Sequence, residues 1–147
     1  MPRVVPPVYF LAGIVTMVLL HNLVPVAPVL GGSNRLIGAI PLLLGLALNI
    51  TSAVIFRVSG TPLRPGSEAT LLVQSGTFRM TRNPMYLGFS LALLGIALLL
   101  GSLSPLIVPP VFVVLIQVHF IRKEERWMEQ RFGDEYLAYK RRTRRWI

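Results

Sequence analysis

Apolar residues gather into four long runs along the chain, separated by short polar or turn-forming stretches. The first two runs, about 8–30 and 36–56, are long enough at ~1.5 Å per residue to cross a ~30 Å hydrocarbon core as helices. The next two, about 85–101 and 105–121, are joined by a Gly/Ser/Pro turn and span slightly less than that thickness. The pattern predicts an all-α, polytopic membrane protein with about four transmembrane helices, the last two forming a hairpin.

Competing interpretations exist for parts of this pattern. The first run resembles a signal peptide, but that interpretation requires a more basic start and a small-residue cleavage site. The last two runs resemble a buried hairpin of a soluble protein. The second run favours membrane packing, because Gly38, Gly45 and Ala47 are small residues that let helices approach closely in lipid. We therefore treat residues 1–147 as a single integral membrane domain.

Composition supports a membrane protein. Apolar residues make up 53% of the chain and charged residues 14%, against roughly 25% charged in soluble domains, and the mean hydropathy is +0.63. These values exclude a disordered tail and make an ordinary soluble domain a poor fit. The chain contains no cysteine, which excludes disulfides, thiolate zinc sites and cysteine nucleophiles.

The basic residues predict the orientation of the helices. Of the 15 Lys and Arg residues, nine follow residue 121, and four Arg lie between Arg57 and Arg82. The first loop contains only Arg35, and the turn between the last two runs has no charge. Because basic residues concentrate in cytoplasmic loops, both termini and the 57–84 loop are predicted to be cytoplasmic in a multi-pass membrane protein.

The C-terminal tail, 122–147, is basic and predicted to be helical, with a break at Gly133 and a second helix capped by Asp134. Aromatic residues among its basic ones are also typical of single-strand nucleic-acid binding. Attraction to anionic lipid, at ~1 kcal/mol per basic residue near the surface, needs no extra assumption. We predict a tail that binds anionic lipid headgroups of the bilayer, and no nucleic acid.

Two polar clusters carry the candidate chemistry. Pro84 suits a first helical turn, so Arg82 and Asn83 are predicted at a helix N-terminus that favours anions, with Tyr86 just inside the helix. Glu124 and Glu125 follow the last apolar run immediately. The simpler interpretations are an interfacial Arg/Tyr anchor and solvated salt bridges. The two histidines form no metal-ligand pair, no phosphate loop is visible, and we predict no metal site.

Together these clusters resemble the isoprenylcysteine carboxyl methyltransferases and the related phospholipid methyltransferases. The resemblance rests on the run Leu72-Val-x-Ser-Gly-x-Phe-x-x-x-Arg82-Asn-Pro-x-Tyr86-x-Gly88, an apolar hairpin, Glu124-Glu125, and Phe132-Gly-x-Glu135-Tyr136-x-x-Tyr139. It covers about half of the chain, residues 70 to 147. It implies an integral membrane enzyme that uses S-adenosyl-L-methionine and acts on a lipophilic small-molecule or prenylated substrate.

We predict Arg82 and Tyr86 as the catalytic residues that organise the pocket. Carried over by position, the resemblance implies cofactor contacts from Thr70, Leu71, Leu72, Val73, Phe78, Asn83, Pro84, Met85, Tyr86 and Glu124, and we add Glu125 as a further cofactor-binding candidate. Which of the two glutamates faces the pocket stays open.

The sequence departs from the family pattern at three positions. Phe78 stands where the family usually has Tyr, Asn83 where prenylcysteine enzymes have His, and Phe120 where those enzymes have an Arg implicated in handling the substrate carboxylate. Carboxyl O-methylation of an isoprenylcysteine-like acceptor is the leading hypothesis. The alternatives are N-methylation of a phospholipid or other lipid amine, an NADPH-dependent membrane reductase, and a non-enzymatic scaffold.

Overall fold

The computed structural model describes residues 5–60 and 71–147, and helices make up most of both stretches. The six α-helices are α1 (Pro6–Leu23), α2 (Ala39–Val58), α3 (Pro84–Leu100), α4 (Val108–Ile116), α5 (Arg122–Phe132) and α6 (Asp134–Arg142). Short 3₁₀ helices occupy Gly32–Gly38, Gly76–Arg79 and Ser104–Ile107, and a π-helical turn occupies Gln117–Ile121. The described residues contain no β-strand, so the all-α prediction is confirmed.

Three helical stretches are long and apolar enough to cross a membrane: Pro6–Leu23, Gly32–Val58 and Ser104–Phe132. The fourth, α3, is apolar and has 17 residues. α3 and α4 pack against each other across a turn at Gly101, whose φ of 77° suits glycine, as the predicted hairpin requires. The chain is therefore an integral membrane protein.

Two predicted boundaries were wrong. The first run was expected to be helical to about residue 30, but α1 ends at Leu23, shortly before Pro25 and Pro28, which lack the N–H that a helix interior needs. The last run was predicted to end at residue 121 and to be followed by a helical tail that breaks at Gly133. The structure joins the two through the π-helical turn, and α5 ends at Phe132 as that break predicts. Asp134 is the first residue of α6 and not its cap, a position that Gly133 occupies.

Small residues bring α2 and α3 into backbone contact. A Cβ placed on Gly38 would lie 2.6 Å from the carbonyl oxygen of Gly95, and one on Gly45 would collide with the backbone of Gly88. The expected close packing is confirmed for Gly38 and Gly45, whereas Ala47 is exposed on the outer face of α2. This contact fixes α3, and therefore its first residues, against α2.

The interior of the bundle is apolar and extends up to Tyr86. Met17 from α1, Leu93 from α3 and Ile116 from α4 are fully buried, and Phe120 and Tyr86 continue the same cluster. Many large apolar side chains on the outer faces are exposed, including Leu43, Leu44 and Ile50 of α2. Exposed apolar faces around an apolar interior are typical of helices that contact lipid.

Candidate active site

The segment before α3 takes the shape that its sequence predicts. Asn83 is not helical, with φ −128° and ψ 55°, and α3 begins at Pro84, which is fully buried. Because proline has no N–H and favours a helical φ, it suits the first helical position. Arg82 and Tyr86 consequently lie on either side of the start of a membrane helix.

The two sequence clusters meet through one hydrogen bond. The buried hydroxyl of Tyr86 donates to Oε1 of Glu124 over 2.8 Å, joining α3 to α5. Glu124 itself is half-buried, and none of the ion pairs within the described ranges includes it. Among the described residues, the carboxylate of Glu124 therefore accepts its side-chain hydrogen bond from a neutral hydroxyl and not from a cation.

The neighbouring Glu125 is buried between two arginines. Arg145 donates from Nε to Oε1 over 3.0 Å and from Nη2 to Oε2 over 2.6 Å, while Nη1 of Arg82 lies 3.1 Å from Oε1. The hydrogen bonds with Glu125 raise the pKa of Arg145. Two cations thus share one carboxylate, and this ion cluster carries one excess positive charge.

Both glutamates, between which the sequence did not choose, point into the structure. Glu124 faces Tyr86, and Glu125 faces Arg82 and Arg145. Glu125 does form salt bridges: the one with Arg82 is buried on both sides, whereas Arg145 approaches from a partly exposed position.

The C-terminal residues lie directly over the start of α3. The carbonyl oxygen of Arg145 accepts hydrogen bonds from Thr81 Oγ1 and Asn83 Nδ2, both over 3.0 Å. The carbonyl oxygen of Arg144 accepts from the backbone N–H of Arg82 over 2.9 Å. Trp146 donates from Nε1 to Gln117 Oε1 over 3.0 Å. The end of the basic tail is therefore part of the candidate site.

The predicted cofactor segment 70–73 is only partly in the site. Thr70 lies outside the described residues, and Leu71 is 59% exposed. Val73 is buried, and Leu72 packs against Tyr136 and Tyr139 of α6. Among the described contacts, none joins Leu71, Leu72 or Val73 to the Tyr86–Glu124 pair.

Phe78 and the tyrosines of α6 form a second wall beside the ion cluster. The buried ring of Phe78 stands edge-on to Phe56 at 5.0 Å, and its carbonyl oxygen accepts a 2.6 Å hydrogen bond from the Tyr139 hydroxyl. Burial, reinforced by the charge of Glu125 and opposed by that of Arg82, raises the pKa of Tyr136 to about 12. The pKa of Tyr136 is thus sensitive to the charges of both Glu125 and Arg82.

The positions that depart from the family pattern have structural explanations. Asn83 uses its amide to hold the carbonyl of Arg145. Phe120 is buried in the core with its ring edge-on to Tyr9 at 5.3 Å, while Arg122 is exposed. Phe120 supplies no cation one turn before Glu124, and among the described residues the cations in contact with the glutamates are Arg82 and Arg145, both at Glu125. Met85 is half-buried beside Pro84. Across residues 5–60 and 71–147, no group of three His, Asp or Glu side chains could hold a metal ion.

Comparison with known proteins identifies the class. Residues 33–135 match the phospholipid methyltransferase family, a range that contains the run from Leu72 to Gly88, the Glu124-Glu125 pair and helices α2 to α5. The chain is 40% identical over 63 residues to an uncharacterized protein of Haemophilus influenzae, covering 43% of this chain and 100% of that protein. It is 32% identical over 104 residues to the cobalt-zinc-cadmium resistance protein CzcN of Cupriavidus metallidurans, covering 70% of this chain and 48% of that protein. No solved structure matches the chain.

The family match, together with the apolar helices, indicates a membrane methyltransferase. The chain belongs to the phospholipid methyltransferase family, and the resemblance inferred from the motifs is confirmed. The matched range ends before Tyr136, Tyr139 and Arg145. The chain spans about half the length of CzcN.

Proposed function

We propose that this protein transfers a methyl group from S-adenosylmethionine to the carboxylate of an isoprenylcysteine-like acceptor in the membrane. The observation that carries the proposal is the Tyr86–Glu124 contact beside the Arg82–Glu125–Arg145 ion cluster, at the end of an apolar bundle. A site with charged groups on one side and apolar helices on the other suits a charged, water-soluble donor and a lipophilic acceptor together.

The charges present fit the amino-acid portion of the donor, which carries an ammonium and a carboxylate. Glu124 is a carboxylate without a cationic partner in the described part of the chain and would attract the ammonium. Arg82, with its excess of buried N–H donors, would attract the carboxylate. Asn83, Pro84 and Met85 would line the donor on the α3 side. When bound, S-adenosylmethionine supplies a sulfonium methyl group whose C–S bond breaks, leaving a neutral thioether, as the acceptor oxygen bonds to the methyl carbon.

The residues of this chain would act mainly by orientation. A carboxylate acceptor is ionised at neutral pH, so no general base is needed. Holding the acceptor oxygen in line with the methyl group then supplies most of the acceleration. Tyr86 would hold Glu124 in place, and Arg82 would organise the anionic side of the pocket.

N-methylation of a phospholipid amine is the second candidate, favoured by the description of the matched family. This reaction differs at one step, because an ammonium acceptor must lose a proton before its nitrogen can attack. For an amine acceptor, we therefore expect the methyl-transfer rate to rise as the pH passes the pKa of the amine. For a carboxylate acceptor, we expect no such rise near neutral pH.

Methyl transfer to matched acceptors tests the proposal. The purified protein in lipid nanodiscs is given isotopically labelled S-adenosylmethionine with an S-prenylated cysteine, with the corresponding carboxamide, or with phosphatidylethanolamine. We expect label on the free carboxylate and none on the carboxamide. Label on phosphatidylethanolamine alone would replace the leading candidate by the second. Stabilisation by NADPH but not by S-adenosylhomocysteine would contradict both.

We further propose that the polar end of the bundle faces the cytoplasm and binds anionic lipid headgroups. Arg122, Lys123 and Arg126 are exposed in the first turns of α5, where the helix leaves the apolar core. The predicted cytoplasmic 57–84 loop includes residues 61–70, which lie outside the described ranges. Cysteine labelling at residue 123 in oriented membrane vesicles tests the orientation. A higher melting temperature in phosphatidylglycerol than in phosphatidylcholine nanodiscs, lost on charge removal at these three positions, tests the lipid contact.

A further inference from the structure

Arg145 uses its guanidinium to occupy both oxygens of Glu125. The distances of 3.0 Å and 2.6 Å describe the two-pronged contact that arginine makes with carboxylates. Arg82 approaches the same carboxylate with Nη1 at 3.1 Å, but this contact is not aligned as a hydrogen bond. The carboxylate is therefore committed mainly to Arg145.

Arg82 is consequently a buried cation with unused donors. Its side chain is only 9% exposed, and Nε and Nη1 are buried without a hydrogen-bond acceptor among the described residues. Guanidinium groups are planar, permanently charged and suited to two-oxygen anions. Buried donors that make no hydrogen bond are costly, so an anionic ligand that accepts from them gains affinity.

We propose that Arg145 is a positioning residue that keeps Arg82 available as a carboxylate subsite. The carboxylate belongs either to the amino-acid portion of the methyl donor or to the acceptor. The proposal rests on the proposed function. It adds to the site a residue that lies outside the range matched to the family, in the tail that is also predicted to bind anionic lipid headgroups.

Lysine at position 145 separates this role from simple charge balance. Arg145→Lys keeps the positive charge but engages only one oxygen of Glu125 at a time. The other oxygen is then free to align with Arg82 and satisfy its donors, which closes the subsite. Arg144→Lys is the matched control, because the Arg144 side chain is exposed and only its backbone carbonyl contacts Arg82.

The test measures binding by calorimetry and kinetics separately. S-adenosylhomocysteine and its decarboxylated analogue are titrated into the nanodisc-held protein and both variants, and KM and kcat are measured for the carboxylate acceptor. If the donor supplies the carboxylate, Arg145→Lys weakens S-adenosylhomocysteine binding about tenfold, or about 1.4 kcal/mol, and leaves the decarboxylated analogue unchanged. If the acceptor supplies it, donor binding is unchanged and the acceptor KM rises about tenfold at similar kcat.

Equal behaviour of Arg145→Lys and Arg144→Lys in all of these measurements would overturn the proposal. An unaltered protein that neither binds S-adenosylhomocysteine nor transfers methyl would instead contradict the proposed function. If the Arg145→Lys protein shows no melting transition, a competition experiment on the unaltered protein tests the carboxylate subsite instead. Acetate, and not acetamide, should compete with the ligand that carries the carboxylate, and a lack of competition with both ligands rejects the subsite.

Discussion

The apolar bundle and the polar end of this protein are held together in different ways. In the bundle, α2 and α3 touch through Gly38, Gly45, Gly88 and Gly95, and shape alone sets their distance. At the polar end, α3, α5 and the C-terminal residues are joined by directed hydrogen bonds and ion pairs. Contacts based on shape fail when volume is added, whereas directed contacts fail when a single atom changes. Substitutions in the two regions should therefore give different defects.

Adding volume at the glycine contact should have the largest effect. Gly45→Leu places a side chain where the backbone of Gly88 already lies, so the helices must separate. We expect a loss of about 3 kcal/mol or more of unfolding free energy, seen as loss of monodisperse protein in detergent. Ala47→Leu, on the exposed face of the same helix, is the control and should behave as wild type. A stable Gly45→Leu protein would show that the contact is not close.

Removing the charge of Glu125 should destabilise the polar end strongly. Glu125→Gln leaves Arg82 and Arg145 without their shared carboxylate, and breaking a buried ion pair costs about 3 kcal/mol. The measurement is denaturation in detergent, with hydrogen exchange of the C-terminal residues as a local readout. Faster exchange there than in α2 is the expected signature, and uniform exchange would argue against two separately held regions.

The same change one residue earlier should spare the fold and weaken the ligand. In Glu124→Gln the amide oxygen can still accept from Tyr86, so the melting temperature should change little. The lost negative charge should weaken S-adenosylhomocysteine binding about tenfold, since hydrogen bonds to charged groups contribute roughly 1.5–3 kcal/mol. Calorimetric titration checks this, and unchanged affinity would remove Glu124 from the donor site.

Alkaline pH should produce the smallest effect, confined to the polar end. Because burial raises the pKa of Tyr136 to about 12, its contribution to stability is complete below the unfolded value of about 10. That contribution is lost as pH rises from 10 to 12, since the unfolded chain ionises first. Tyr136→Phe should flatten the fall in melting temperature over this interval. An identical slope in both proteins would exclude Tyr136 as the cause.

The sequence predicted the bundle better than its polar end. Apolar runs identify membrane helices because lipid contact leaves a compositional signal in every residue of a span. Pro84 marked the start of α3, and the paired motifs indicated that Tyr86 and the glutamates meet. These features are local or belong to a family pattern.

Which C-terminal residues contact the site could not be predicted, because those contacts join distant positions. Arg145 meets Glu125 across 20 residues and Asn83 across 62. In sequence it is one of several arginines in a basic tail, and its neighbour Arg144 has an exposed side chain. The helix of the tail and its end at Gly133 were predicted, but the π-helical turn that joins this helix to the last apolar run left no sequence signal.

The π-helical turn at Gln117–Ile121 joins two helices of different phase. Inward residues follow every fourth position from Val108 through Phe112 and Ile116 to Phe120, shift by one position to Ile121, and continue at Glu125. A π-helical turn accommodates one additional residue. That additional residue lets one continuous helix present an apolar stripe of α4 to the bundle and a separate, carboxylate-bearing stripe of α5 to the polar end. Residues on the apolar stripe of α4 and residues on the carboxylate-bearing stripe of α5 can consequently vary independently, because the π-helical turn accommodates the rotation between the two stripes.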